Sequence, residues 1–220
     1  MHTSRLGLAA SVAVAILLGF PGTSARAASL VFSQYSSDAT PAAALQATLD
    51  FQVTGSTLLV QATNQTTTAS PYDIHWLYFN ASDDVLSLSL SGYSDPYWTL
   101  YDEGYQVTAP TFGGFDYALW TYAPTQPQAY IQPGETQAFT LAIDCAAGAV
   151  CDASDFTTGL SDGRTSVLAA MRFVRLGVDT AFGATTTVIP TPEPGTAALV
   201  ALGLAGIAGA RRRPRSHRVS

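Results

Sequence analysis

The chain has 220 residues, 47% of them hydrophobic and 12% charged, with three Trp, ten Tyr and ten Phe, a composition that excludes a disordered chain. Its ten basic residues are all arginine and gather at the two ends, so residues 28–190 carry three arginines against fifteen acids, a net −12. That surface repels phosphate backbones and excludes nucleic acid as a partner.

The first element is a leader. Arg5 supplies a basic start, Leu6 to Phe20 an apolar run, and Pro21-Gly22 breaks the run before Ala25-Arg26-Ala27. A run of 15 residues falls short of the roughly 20 that a membrane helix needs. Small residues at 25 and 27 suit a signal peptidase, so residues 1–27 read as a signal peptide cut between Ala27 and Ala28. Export follows, and what remains is one domain large enough to bury its own core.

Residues 28–184 read as all-β, an antiparallel β-sandwich of about seven to nine strands. Phe32 belongs to the first strand. A short helix over 40–47 is the one helical segment expected, with Pro41 near its start. Residues 47–53 put Leu49, Phe51 and Val53 on one face and Thr48, Asp50 and Gln52 on the other. Thr54-Gly55-Ser56 turns the chain into 57–64, a hairpin signal. Strands follow at 72–80 and at 85–90, the latter with Leu86, Leu88 and Leu90 on a common face. Pro133-Gly134 has type II turn chemistry ahead of a strand at 137–144, and another strand covers 166–175. Residues 185–191 read as a Thr/Pro linker.

Reactive residues are few. His75 is the single histidine between 28 and 190, too few for a His-rich zinc site, and no G-x-S-x-G elbow accompanies it. On an amphipathic strand such a histidine is a packing, surface or catalytic residue. Cys145 and Cys151 are the only cysteines and, in an exported chain, read as a disulfide. Asp83-Asp84 and the trio Asp152, Asp155 and Asp162 suit solvated turns or calcium, without the spacing of a calcium loop. No metal or cofactor is assigned. Ten aromatics crowd 93–122; Tyr97, Trp98 and Tyr101 are the candidate glycan platform, the alternative being that these rings fill the core.

The end of the chain is a second address. Pro192-Glu193-Pro194 precedes the apolar stretch Ala197 to Ala210 and then Arg211, Arg212 and Arg213. As a helix that stretch spans about 21 Å, against ~30 Å of bilayer hydrocarbon. The arginines oppose translocation and hold the segment at the membrane transiently.

This ordered triplet resembles the sorting tail of PEP-CTERM proteins, exported by exopolysaccharide-producing Gram-negative bacteria. The resemblance implies a sorting signal over 192–218, processed by exosortase, a membrane transpeptidase-like enzyme. It also implies delivery to the cell envelope, outer surface or extracellular matrix of a Gram-negative-type bacterium. It covers about 30 residues and supplies an address, not an activity. The phrases IQPGETQAFTLAI and FDYALW are similar to passages in domains attached to such tails.

The expected function is a non-catalytic envelope or exopolysaccharide-matrix protein. Its rivals are a polysaccharide-binding module using 93–122 and a secreted hydrolase using carboxylates. The expected partners are signal peptidase, an exosortase-type enzyme and exopolysaccharide.

Overall fold

The structure is a computed structural model that describes residues 26–36, 44–67, 72–91, 96–102, 107–121, 129–175 and 179–190. In chain order the first strands are β1 (Arg26–Phe32), β2 (Tyr35–Ser36), β3 (Ala47–Thr54), β4 (Thr57–Asn64), β5 (Asp73–Phe79) and β6 (Val85–Leu90). Then come β7 (Trp98–Tyr101), β8 (Thr108–Ala109), β9 (Gly113–Gly114) and β10 (Tyr117–Thr121). The last are β11 (Thr136–Cys145), β12 (Ala169–Arg175), β13 (Asp179–Thr185) and β14 (Val188–Pro190).

Two six-stranded sheets stack as a sandwich. The first runs β14-β1-β3-β4-β11-β6 and the second β2-β13-β12-β5-β10-β7, with every pairing between their strands antiparallel. The fold class is the one expected, with more strands.

Two of the extra strands share an origin. β10 and β13 are covered on both faces, so they lack the polar alternation that betrays a half-buried strand. The segment expected to be a linker over 185–191 is also strand for most of its length. Thr185 closes β13, and Val188 to Pro190 pair with Leu30 to Ala28 at the sheet edge. Its β-branched Thr, Val and Ile residues suit a pleated surface better than a spacer.

The β3–β4 hairpin shows how sequence becomes packing. Leu49, Phe51 and Val53 point inward, and Gly55 takes φ +59 in the turn, where a side chain is disfavoured. Phe51 meets Phe79 of the opposite sheet edge-on at 5.5 Å and stacks on Phe156 at 5.6 Å. Burying each such ring contributes about 1.5–3 kcal/mol. Asn64, at the end of β4, is buried with its amide fully used. Its Nδ2 donates to the carbonyls of Tyr72 (2.7 Å) and Ile131 (2.8 Å), and its Oδ1 accepts from Thr66 N and Oγ1.

Two local expectations change and a third holds. Leu88 is buried, whereas Leu86 is 61% exposed because β6 slips register against β11 beside it, and Leu90, at the end of this edge strand, is 40% exposed. Such an irregularity on an edge strand discourages pairing with another chain. The expected helix over 40–47 gives way to strand at Ala47, and 40–43 lie outside the described residues. Pro133-Gly134 turns as expected: Glu135 N donates to the Gln132 carbonyl at 2.9 Å, and Gly134 has φ +86.

At one edge the chain crosses between sheets twice, from β1 to β2 and from β13 to β14. Gln34 stitches the two crossings together. Its Oε1 accepts from Thr186 N and Oγ1 at 3.3 and 3.1 Å, and its Nε2 donates to Thr187 Oγ1.

Candidate functional site

The outer face of the second sheet carries a second apolar layer, separate from the core between the sheets. Register explains it. Trp120 of β10 and Arg172 of β12 are both Cα partners of Trp76 on β5, so the three lie in a row across the sheet. Tyr78, next outward on β5, has Ala118 and Ala170 beside it. Small neighbours leave room for the cover, the 107–115 segment, whose Val107, Phe112 and Phe115 pack on that end of the face. The cover is held by Asp162, whose Oδ1 accepts from Gly114 N at 2.5 Å, and by Gly163 N donating to the Phe112 carbonyl at 3.1 Å. A Cβ on Gly113 would stand 2.2 Å from Gly163 N, so only glycine fits this contact.

The other end of the face is aromatic and basic. Trp76 stacks on Trp120 at 4.8 Å and on Tyr78 at 5.4 Å, and Tyr101 tilts against Trp120 at 5.6 Å. The Arg172 guanidinium lies 5.8 Å from the Phe182 ring centre.

His75 enters through a bulge. Arg172 pairs with Trp76 and Phe173 with Ile74, which leaves His75 as the extra residue. Its Nε2 accepts from Trp120 Nε1 at 3.1 Å, and its ring lies 5.0 Å from Tyr130. Burial, then the Arg172 charge, lowers its pKa from 6.5 to about 4, against a smaller opposing pull from the Thr121 backbone. The imidazole is therefore neutral at pH 7. Because Nε2 accepts, Nδ1 bears the proton. Burial likewise holds the Tyr78 and Tyr130 hydroxyls above their ordinary range, so both stay protonated.

Among the described residues four buried polar atoms make no hydrogen bond of normal geometry: His75 Nδ1, Trp76 Nε1, Arg172 Nε and Thr121 Oγ1. Three of them sit in this row. Thr121 does not, because it shares the inward parity of Leu119 on β10. Arg172 is the residue that the composition hid, as one of three arginines in the domain, inside the apolar run of β12.

The candidate platform of Tyr97, Trp98 and Tyr101 does not form one exposed row. Tyr97 is 38% exposed and Tyr101 half-buried, but Trp98 is buried between the sheets. Its ring meets Phe139 edge-on at 4.9 Å, and its Nε1 donates to the Ala129 carbonyl at 3.0 Å. Strand alternation turns Trp98 inward, away from its neighbours. Tyr93, Tyr105 and Tyr122 lie outside the described residues.

Cys145 and Cys151 are joined, S–S 2.03 Å. Most of the suspected calcium carboxylates work as local acceptors. Asp152 and Asp155 form a capping box around Ala153–Phe156, Asp155 also accepts from Ser82 Oγ at 2.7 Å, and Asp162 holds the cover. Among the described residues no three His, Cys, Asp or Glu side chains converge as metal ligands. Asp83 lines an open cavity of about 430 Å³ together with Asp102, Asp116 and Tyr117. Asp116 Oδ2 accepts from Ala81 N at 2.9 Å.

Ala27 and Ala28 both lie in β1, opposite Gln52 and Phe51, and Ala28 is also the Cα partner of Pro190. The motif residues Pro192, Glu193 and Pro194, the 197–210 stretch and Arg211 to Arg213 lie outside the described residues. No helix among the described residues is long and apolar enough to cross a membrane.

Compared with known families, residues 190–213 match the PEP-CTERM protein-sorting motif. The chain carries a PEP-CTERM sorting signal. The motif marks it for export to the cell envelope or surface and for processing by an exosortase-type enzyme. The rest of the chain matches no family, and neither a curated protein nor a solved structure matches it.

Proposed function

We propose that this protein is a non-catalytic component of the envelope surface or the exopolysaccharide matrix, delivered as a folded β-sandwich by its PEP-CTERM tail. The pairing of Ala28 with Pro190 carries this reading. The residue after the expected leader cut and the first residue of the matched motif are neighbours in one sheet. Because β1 and β14 run antiparallel, leader and tail depart from the same end of the strand pair. Neither tether has to cross the sandwich, so the domain can complete its fold while the tail is still held at the membrane.

The test is cell fractionation with and without the exosortase-type enzyme. Folded, disulfide-bonded protein should accumulate with an intact tail in membranes lacking the enzyme, and lose that tail where the enzyme is present. Equal release of tail-bearing protein from both strains would overturn the reading.

The carboxylate-lined cavity supports a second reading, a hydrolase drawing on Asp83 and Asp102. Glycoside hydrolysis by the wild type, lost in Asp102→Asn, would establish it. Absence of turnover across a panel of polysaccharides would retire it.

A further inference from the structure

We infer that tail processing joins this domain to itself: the acyl end created in the tail is transferred to the α-amine of Ala28, closing the backbone into a ring. This joining rests on the export and processing reading above and names the acceptor, which that reading leaves open.

Register supplies the geometry. Ala28 is the Cα partner of Pro190, Ser29 of Ile189 and Leu30 of Val188, in antiparallel pairing. The bond before Ala28 and the bond after Pro190 therefore leave side by side, from strands about 4.8 Å apart. Four residues, Thr191 to Pro194, separate Pro190 from the end of the motif, and they reach about 13 Å. A cut anywhere within Pro192-Glu193-Pro194 thus leaves an acyl carbon within reach of the amine. Connections of about two to five residues are also the ordinary way to join antiparallel neighbours. The strand pair is anchored at its other end, where Gln34 bonds to Thr186 and Thr187 just ahead of β14.

Composition supplies the acceptor. All ten basic residues are arginine, so no lysine offers a side-chain amine anywhere in the chain. The leader cut makes the one amine of the mature domain, and makes it beside the tail. An α-amine has an ordinary pKa of about 8, against about 10.4 for lysine, so more of it is unprotonated and nucleophilic at neutral pH. Tethering over a few residues gives an effective concentration on the order of millimolar, which an amine on another molecule must match.

The step needs no oxidant or reductant. A thiol or hydroxyl of the processing enzyme attacks the scissile carbonyl, and its proton leaves with the new amine of the released tail. The upstream fragment is held as a thioester or ester. The unprotonated Ala28 nitrogen attacks that acyl carbon, a peptide bond forms, and the bond to the enzyme breaks. The proton shed by the nitrogen returns to the enzyme's side chain. One water is consumed, at the leader cut.

The experiment takes protein recovered from the envelope of an exosortase-competent host, digests it with chymotrypsin, which cuts after aromatic residues, and sequences the peptides by mass spectrometry. Ring closure predicts a peptide running from Gly183 through the cut residue directly into Ala28 and on to Phe32. The intact ring keeps Ala28 as its first encoded residue, lacks the arginine tail, and weighs one water less than the linear chain of the same residues. Aminopeptidase should release nothing from it. A host without the enzyme should yield no such peptide.

An Ala28 peptide with a free amine, together with a tail end that carries a free carboxyl or another molecule's amine, would overturn the joining and leave export and tail removal standing. A ring of twice the mass would overturn it too, by showing that copies join each other. A chain that begins at Met1, or that keeps Arg211 to Arg213, would overturn both readings.

Discussion

The outer faces of the two sheets are built differently. On the first sheet, Thr48, Asp50 and Gln52 of β3 face Thr63, Gln61 and Leu59 of β4, a mostly polar surface in contact with water. On the second, Trp76, Tyr78, Trp120 and Phe182 form an apolar layer, half of it roofed by residues 107–115. A sandwich needs one buried face per sheet. The first sheet meets that requirement and stops, whereas the second spends bulky aromatics and a buried arginine on a face that the fold does not require. That surplus is why the candidate site lies there.

The largest contrast should come from substituting the two faces of β3. Phe51→Ala removes a fully buried ring that bridges the sheets and should cost about 3–5 kcal/mol in denaturant unfolding, whereas Asp50→Asn should stay within about 0.5 kcal/mol. Comparable losses would mean that the first sheet's outer face is structural too.

Asn64→Ala comes next. It removes four buried hydrogen bonds, leaving Thr66 N without its acceptor while the Tyr72 and Ile131 carbonyls keep Thr66 Oγ1 and Ile74 N, and should cost about 2–3 kcal/mol by the same measurement. A loss below about 1 kcal/mol would show that water replaces the amide.

His75 sharpens the comparison through pH. Its folded pKa of about 4 lies below its ordinary 6.5. As pH falls through that window the unfolded chain takes up a proton that the folded chain refuses. Stability present above pH 6.5 is therefore lost toward pH 4, on the order of 2–3 kcal/mol. Asp73 acts in the opposite direction: burial and Glu135 raise its pKa, so the folded state gains relative stability as that carboxyl protonates. His75→Gln should flatten the stability profile between pH 6.5 and 4.5, and an unchanged slope would mean that the imidazole is not held neutral.

The smallest effect belongs to the disulfide. Cys145→Ser with Cys151→Ser opens a short loop and should cost about 2 kcal/mol, leaving tryptophan fluorescence at the outer face unchanged.

Legibility followed burial. The β3–β4 hairpin could be read in full because one of its faces is polar and Gly55 marks the turn. By contrast β10 and β13 were blurred because a strand covered on both faces has no alternation to read. The disulfide was legible by elimination, with two cysteines and one pairing. The candidate site was not. Arg172 meets Trp76 only through a register across almost 100 residues of chain, and His75 reaches Trp120 only because β5 bulges. The aromatic density of 93–122 supplied Trp120, but Trp98 faces the core and the rest of the row comes from Trp76 of β5 and Arg172 of β12. The tail was legible because an enzyme reads it as linear sequence.

The central claim, that this is a sandwich exported and processed at two neighbouring points, rests most directly on the intact mass of the protein recovered from the envelope of an exosortase-competent host. The account predicts a chain beginning at Ala28, lacking Arg211 to Arg213, and two hydrogens lighter than its fully reduced form. A chain that begins at Met1, or that keeps the arginine tail on most molecules, would contradict it.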